Sequence, residues 1–167
     1  MKLDKKVQDA LNDQVNNEFR SSYQYLAAAA YFEGGPYRGF AKWMRFQSEE
    51  ERTHAMKLLD YLVDRRAAVR LEPIPEPLGK YASPLDVFQK SLAAEQEVSS
   101  QINTLYATAE GVGDYSTMNF LGWFLDEQVE EEKITSEMVD RLELAGDDAN
   151  ALLLLDAEAG GRPTQAK

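Results

Sequence analysis

The chain has 167 residues, enough for one domain with a sizeable core, and its 18 basic and 29 acidic side chains give a formal charge of −11. That balance argues against a nucleic-acid binder and against docking on an anionic membrane surface, both of which need a basic footprint. Cysteine is absent and histidine occurs once, at His54, so disulfides, thiolate zinc sites, iron–sulfur clusters and His-rich metal sites are excluded together.

The start of the chain, Met1 to Lys6, is charged and leads into no apolar run of signal-peptide length. No stretch nears the ~18 apolar residues of a membrane span. A cytoplasmic protein is the expectation, with an organellar location after removal of a transit peptide left open.

Glycine and proline divide the chain into four long segments and a short fifth. The first runs to the breaker Gly34-Gly35-Pro36 and carries the helical stripe Val7, Leu11, Val15, Glu18, Ser22, Tyr25, Ala29. The second, about Gly39 to Arg66, carries Phe40, Met44, Gln47, Glu51, His54, Leu58, Tyr61. A stretch with Pro73, Pro75, Pro77 and Gly79 follows. From about Ala67 to Ser83 it could span ~55 Å when extended, and a helix of about 27 residues is roughly 40 Å long. It can therefore cross the whole bundle, making the second and third helices parallel.

The third segment, Pro84 to Gly111, has Ser83 as N-cap and Pro84 at the first helical position. Its stripe is Phe88, Leu92, Glu95, Ser99, Ile102, Tyr106. After the tight break Gly111-Val112-Gly113, the fourth runs from about Asp114 to Ala145 with Leu121, Phe124, Gln128, Glu131, Thr135, Met138, Leu142, and stops at Gly146. Asp147 or Asp148 caps a short helix to about Ala159, and 160–167 reads as a frayed tail. The expected fold is all-α: one domain over 1–167, with a four-helix bundle at about 4–145, one long crossover, and a fifth helix at about 147–159. That last helix is apolar on nearly every side. Either self-association at a symmetry axis or folding back on its own bundle would bury it.

Each seam carries a glutamate near its middle: Glu18, Glu51, Glu95 and Glu131. His54 follows Glu51 by three residues, and Gln128 precedes Glu131 by three. One buried glutamate costs several kcal/mol or takes up a proton, and four at one level repel each other. A cation at their centre removes both objections. Four carboxylates and one imidazole suit iron or manganese, and their charge balances about two divalent ions. The bland alternative is that the glutamates are solvated and the histidine is a core residue.

A second acidic group adjoins the first. Glu50 flanks Glu51, and the stretch 126–132 has five acids in seven residues. Glu50, Glu127, Glu130 and Glu131 form either a solvated face or a third cation position. Tyr25 lies two turns from Glu18, either as a core residue or as a donor to the metal centre.

These residues resemble the non-haem ferritins, from Val7 to about Glu158. The most specific parts are Glu18 with Tyr25, the run 49–54 ending at His54, Glu95, and Gln128-Val129-Glu130-Glu131. Bacterioferritins keep a second Glu-x-x-His where this chain has Gln128 and Glu131. Arg52 stands where their haem-ligating methionine would lie, so no haem is expected. The resemblance implies a ferroxidase that oxidises Fe(II) with O₂ or peroxide inside each bundle. Glu18, Glu51 and His54 would hold one iron, and Glu51, Glu95 and Glu131 a second, with Gln128 alongside. Glu50, Glu127, Glu130 and Glu131 match a third position. It further implies Fe(III) stored as mineral in a homo-oligomeric shell of 24 subunits. The competing readings are an acidic bundle that gathers cations without fast oxidation, with its glutamates on the surface, and a miniferritin-like protective protein with its site between subunits.

Overall fold

The computed structural model describes residues 3–77 and 79–161. Five helices follow in chain order: α1 (Lys5–Glu33), α2 (Arg38–Asp64), α3 (Pro84–Gly111), α4 (Tyr115–Ala145) and α5 (Ala149–Gly160). The long crossover joins α2 to α3. Most of the expected tail, 162–167, lies outside the described residues; Gly160 closes α5 and Gly161 follows as its C-cap.

The helix ends follow local chemistry. Asp4, Ser83, Asp114 and Asp148 each accept a backbone N–H from the first turn of the helix that follows. Asp148, not Asp147, caps α5. α4 stops at Gly146, whose φ of 53° is open to glycine at little cost. Pairs across the bundle give the directions. Tyr25 meets Glu95, and Asn17 meets Gln101, so α1 and α3 are antiparallel. Gln47 meets Glu131, and Tyr61 meets Thr117, so α2 and α4 are antiparallel too. With α1 and α2 joined by a tight turn, α2 and α3 run parallel, as the crossover requires.

The crossover lies along α1 and is tied down by asparagines. Asn12 donates to the Ala68 carbonyl and accepts from the Arg70 N–H. Asn16, one turn on, donates to the Arg70 carbonyl and accepts from the Glu72 N–H. Each carboxamide thus satisfies a donor and an acceptor of an irregular segment, as a neighbouring strand would.

The apolar core has two parts. One holds Phe32, Phe40, Met44, Phe88, Met138 and Leu142. The other holds Val7, Leu11, Leu58, Leu62, Ile102 and Leu121. The acidic level separates them. α5 caps the first part: Leu155 and Ala159 are buried in it, while Leu153 and Leu154 stay half-exposed. The helix therefore folds back on its own bundle along one side and keeps an apolar side outward.

Candidate metal centre

The glutamates predicted on the four seams are all buried: Glu18 at 0 % exposure, and Glu51, Glu95 and Glu131 at 1 %. Helix geometry explains the convergence. Each sits near mid-helix on the face that its apolar neighbours at three- and four-residue spacing turn inward. Burial removes the reading in which they are solvated surface residues.

Glu18, Glu51 and His54 place ligand atoms within 4.8 Å of one another. His54 turns Nδ1 toward Glu51 Oε2 at 3.7 Å. Its ring is wedged edge-on against Trp123 and Phe124, at centroid distances of 5.3 and 6.0 Å. Trp123 also carries the Lys57 ammonium over its ring, 3.6 Å from the centroid. Among the described residues, no N–H or hydroxyl donates to Glu18 Oε2 or to either oxygen of Glu51. These three oxygens face only one another and the imidazole.

The remaining carboxylates are held from outside. Tyr25 gives its hydroxyl to Glu95 Oε1, and Gln128 Nε2 reaches Glu95 Oε2 at 3.2 Å. Gln47 Nε2 reaches Glu131 Oε2 at 2.8 Å. Gln14 Nε2 reaches Glu18 Oε1 at 2.8 Å. Sequence spacing gives Gln14 no role and Gln47 only a place on the stripe of α2. The available signal was an amide one turn before each of Glu18 and Glu51 on a seam expected to be apolar.

Electrostatics follow this geometry. Burial first, then the charge of Glu51, pushes the Glu18 carboxyl well above its ordinary range. Burial first, then the charge of Glu95, does the same to Glu51. Burial also raises Glu95, although the bonds from Tyr25 and Gln128 oppose it. The Tyr25 phenol is raised by burial and by the Glu95 and Glu51 charges, so it stays a neutral donor.

A second group lies beside the first. Glu50, Glu127 and Glu131 bring carboxylate oxygens within 4.8 Å of one another. Glu130 is not part of it: it is exposed, one residue (about 100°) round the helix from the buried Glu131. Glu131 thus stands between the two groups.

A four-helix bundle with one long crossover and a buried, carboxylate-rich candidate metal site has the architecture of the ferritin-like class. The ferritin family model, described as a ferritin-like domain, matches residues 8–145. The chain is 41 % identical over 160 residues to the bacterial non-heme ferritin of Staphylococcus saprophyticus, covering 96 % of both. The bacterial non-heme ferritin of Staphylococcus aureus gives the same figures. The open-pore ferritin of the hyperthermophilic archaeon Archaeoglobus fulgidus superposes with a TM-score of 0.95 at 40 % identity, over 96 % of this chain and 98 % of that one. An engineered closed form of that ferritin superposes at 0.94 and 41 % identity, with coverage of 96 % and 98 %. The chain belongs to the ferritin family. It is an iron-storage protein of the non-haem kind. Among the described residues, no helix is long and apolar enough to cross a membrane.

Proposed function

We propose that this ferritin oxidises its own cargo: Fe(II) is the substrate of a ferroxidase centre inside each bundle. The observation that carries this reading is the convergence of Glu18, Glu51 and His54 in a buried cluster where both oxygens of Glu51 lack a donor. Uncompensated burial costs several kcal/mol, and a cation in the gap offsets that cost while the carboxylates stay ionised.

Glu18, Glu51 and His54 hold one Fe(II). Glu51, Glu95 and Glu131 hold a second, with Gln128 beside them. Glu51 serves both ions because its two oxygens are uncommitted. Tyr25 keeps Glu95 in place with a neutral hydroxyl. Each Fe(II) loses one electron, and O₂ or peroxide accepts them. Glu50 and Glu127, with Glu131, offer a third position through which oxidised iron leaves toward the mineral. The exposed Glu130 contributes charge at its mouth rather than a ligand of the cluster. A homo-oligomeric shell of 24 chains in the cytoplasm contains that mineral, and the outward apolar side of α5 supports such self-association.

The centre is tested by Fe(II)-dependent O₂ uptake. A fast phase saturating at about two irons per chain is expected, and Glu51→Ala should remove it while leaving the helical circular dichroism intact. Unchanged fast oxidation in that variant overturns the site. Size-exclusion chromatography tests the shell: about 450 kDa is expected for 24 chains of 18.8 kDa, and a dodecamer refutes it.

A further inference from the structure

The carboxylates of the centre are held unequally. Glu95 has a protein donor on each oxygen. Glu18 accepts from Gln14 on Oε1 and has no donor on Oε2. Glu131 accepts from Gln47 on Oε2. Glu51 has no donor on either oxygen.

Both amides are built into the protein rather than laid on its surface: Gln14 is 2 % exposed and Gln47 1 %. Gln14 lies on α1 four residues before Glu18, so backbone geometry sets its reach. Gln47 lies on α2, one turn before Glu51, and reaches across to α4. An N–H that occupies a carboxylate oxygen fixes the carboxylate plane and weakens that oxygen as a ligand. A neutral amide does so without adding a charge that would compete with the cation.

Building on the ferroxidase reading above, we infer that Gln14 and Gln47 are positioning residues: Gln14 restricts Glu18 to one metal-binding oxygen, and Gln47 fixes the plane of the Glu131 carboxylate between the two groups. A carboxylate that binds through both oxygens fills two coordination positions, and one that binds through a single oxygen leaves a position open for the oxidant. Glu51 carries no such restraint and is left to bridge. Under this division, the binding modes of Glu18 and Glu51 are set by the chain before any ion arrives.

Co(II) titration tests the inference, because its visible bands report coordination number without turnover. Gln14→Met removes the donor at nearly constant volume. Wild type should take up about two Co(II) per chain. Gln14→Met should weaken the Glu18 position by about 10–100-fold, because ordering the released carboxylate costs more than its second oxygen returns, and its band should lose intensity as Glu18 turns both oxygens to the metal. Anomalous diffraction of Co(II)-soaked crystals should then show two Glu18 oxygens on the ion where wild type shows one. Unchanged affinity together with an unchanged band overturns the inference, since a merely structural amide would lower thermal stability and leave the coordination alone. Should Gln14→Met not fold, Gln47→Met frees the Glu131 carboxylate plane: the Co(II) affinity and band should both change, and no change in either overturns the inference. A wild-type chain that binds no Co(II) at all refutes the functional reading instead, so the two failures are distinct.

Discussion

Glu18 shows most directly what the centre costs without metal. Its carboxyl is fully buried, and burial followed by the Glu51 charge raises its pKa in the folded state. Folding therefore takes up protons. The stability linked to this group is fully present below the ordinary glutamate value of about 4.3 and is lost as pH rises through the raised folded value. Glu18→Gln keeps an acceptor for Gln14 and deletes the charge. We expect it to stabilise the metal-free protein at pH 7 by on the order of 1–3 kcal/mol, with the gain vanishing near pH 4. Thermal melts in chelator check this, and equal melting temperatures at pH 7 refute it. The seam glutamates and His54 were legible because helical spacing puts side chains on a face without reference to any partner. Gln14 and Gln47 were not legible as positioning residues, because their role depends on a rotamer and on a partner that spacing does not name. The exposure of Glu130 was hidden for a related reason: charge density along the sequence counts neighbours that the helix turns to different faces.

Among the elements, the crossover and α5 each depend on a few contacts that local sequence cannot show. At the start of α2, Gly39 passes so close to α5 that a Cβ placed on it would stand 1.6 Å from the Asp156 carbonyl oxygen. Asp156 in turn accepts the Phe40 N–H at 2.8 Å, capping α2 from a residue over a hundred positions away. Gly39→Ala must push α5 off this seat. The expected cost is about 1–3 kcal/mol, with faster amide exchange across Ala149–Gly160; unchanged exchange there refutes it. The asparagine tie makes a second prediction. Asn16→Ala leaves the Arg70 carbonyl and the Glu72 N–H without their side-chain partner. Trypsin should then cut after Arg70 at least several-fold faster than in wild type, since cleavage follows the population of the open segment. The bounds of α3 were readable from Ser83, Pro84 and Gly111, which act on their own backbone. The seat of α5 was readable only as two alternatives; the helix folds back on its own bundle through Leu155 and Ala159, and Leu154 faces outward.

At the scale of the molecule, two groups of carboxyls respond to pH in opposite senses. The end of the bundle is closed by Arg65, from the C-cap of α2, which forks onto both oxygens of Asp114 at 2.9 and 3.2 Å. Burial disfavours ionisation of Asp114, but the bonds from Arg65 and Thr117 outweigh it and hold its carboxyl below the ordinary aspartate value. Its stabilisation is present above about pH 3.9 and is lost as pH falls through the lower folded value. Glu18, Glu51 and Glu95 lie between the two apolar parts of the core, and their raised values remove stability as pH rises. The formal charge of −11 adds self-repulsion in the same direction. The metal-free protein should therefore be most stable at mildly acidic pH and lose stability toward neutrality. A cation that binds only the folded, ionised centre reverses the second limb, because ionisation then prepares ligands instead of stranding charges. Melting temperatures measured from pH 3.5 to 8, in chelator and with about two Zn(II) per chain, test the whole scheme. The expected curves coincide at the acid end, where Asp114 governs both, and diverge above about pH 5. Metal-free stability that climbs steadily to pH 8, or curves that stay parallel throughout, would show that the buried carboxylates are not what limits the unloaded fold.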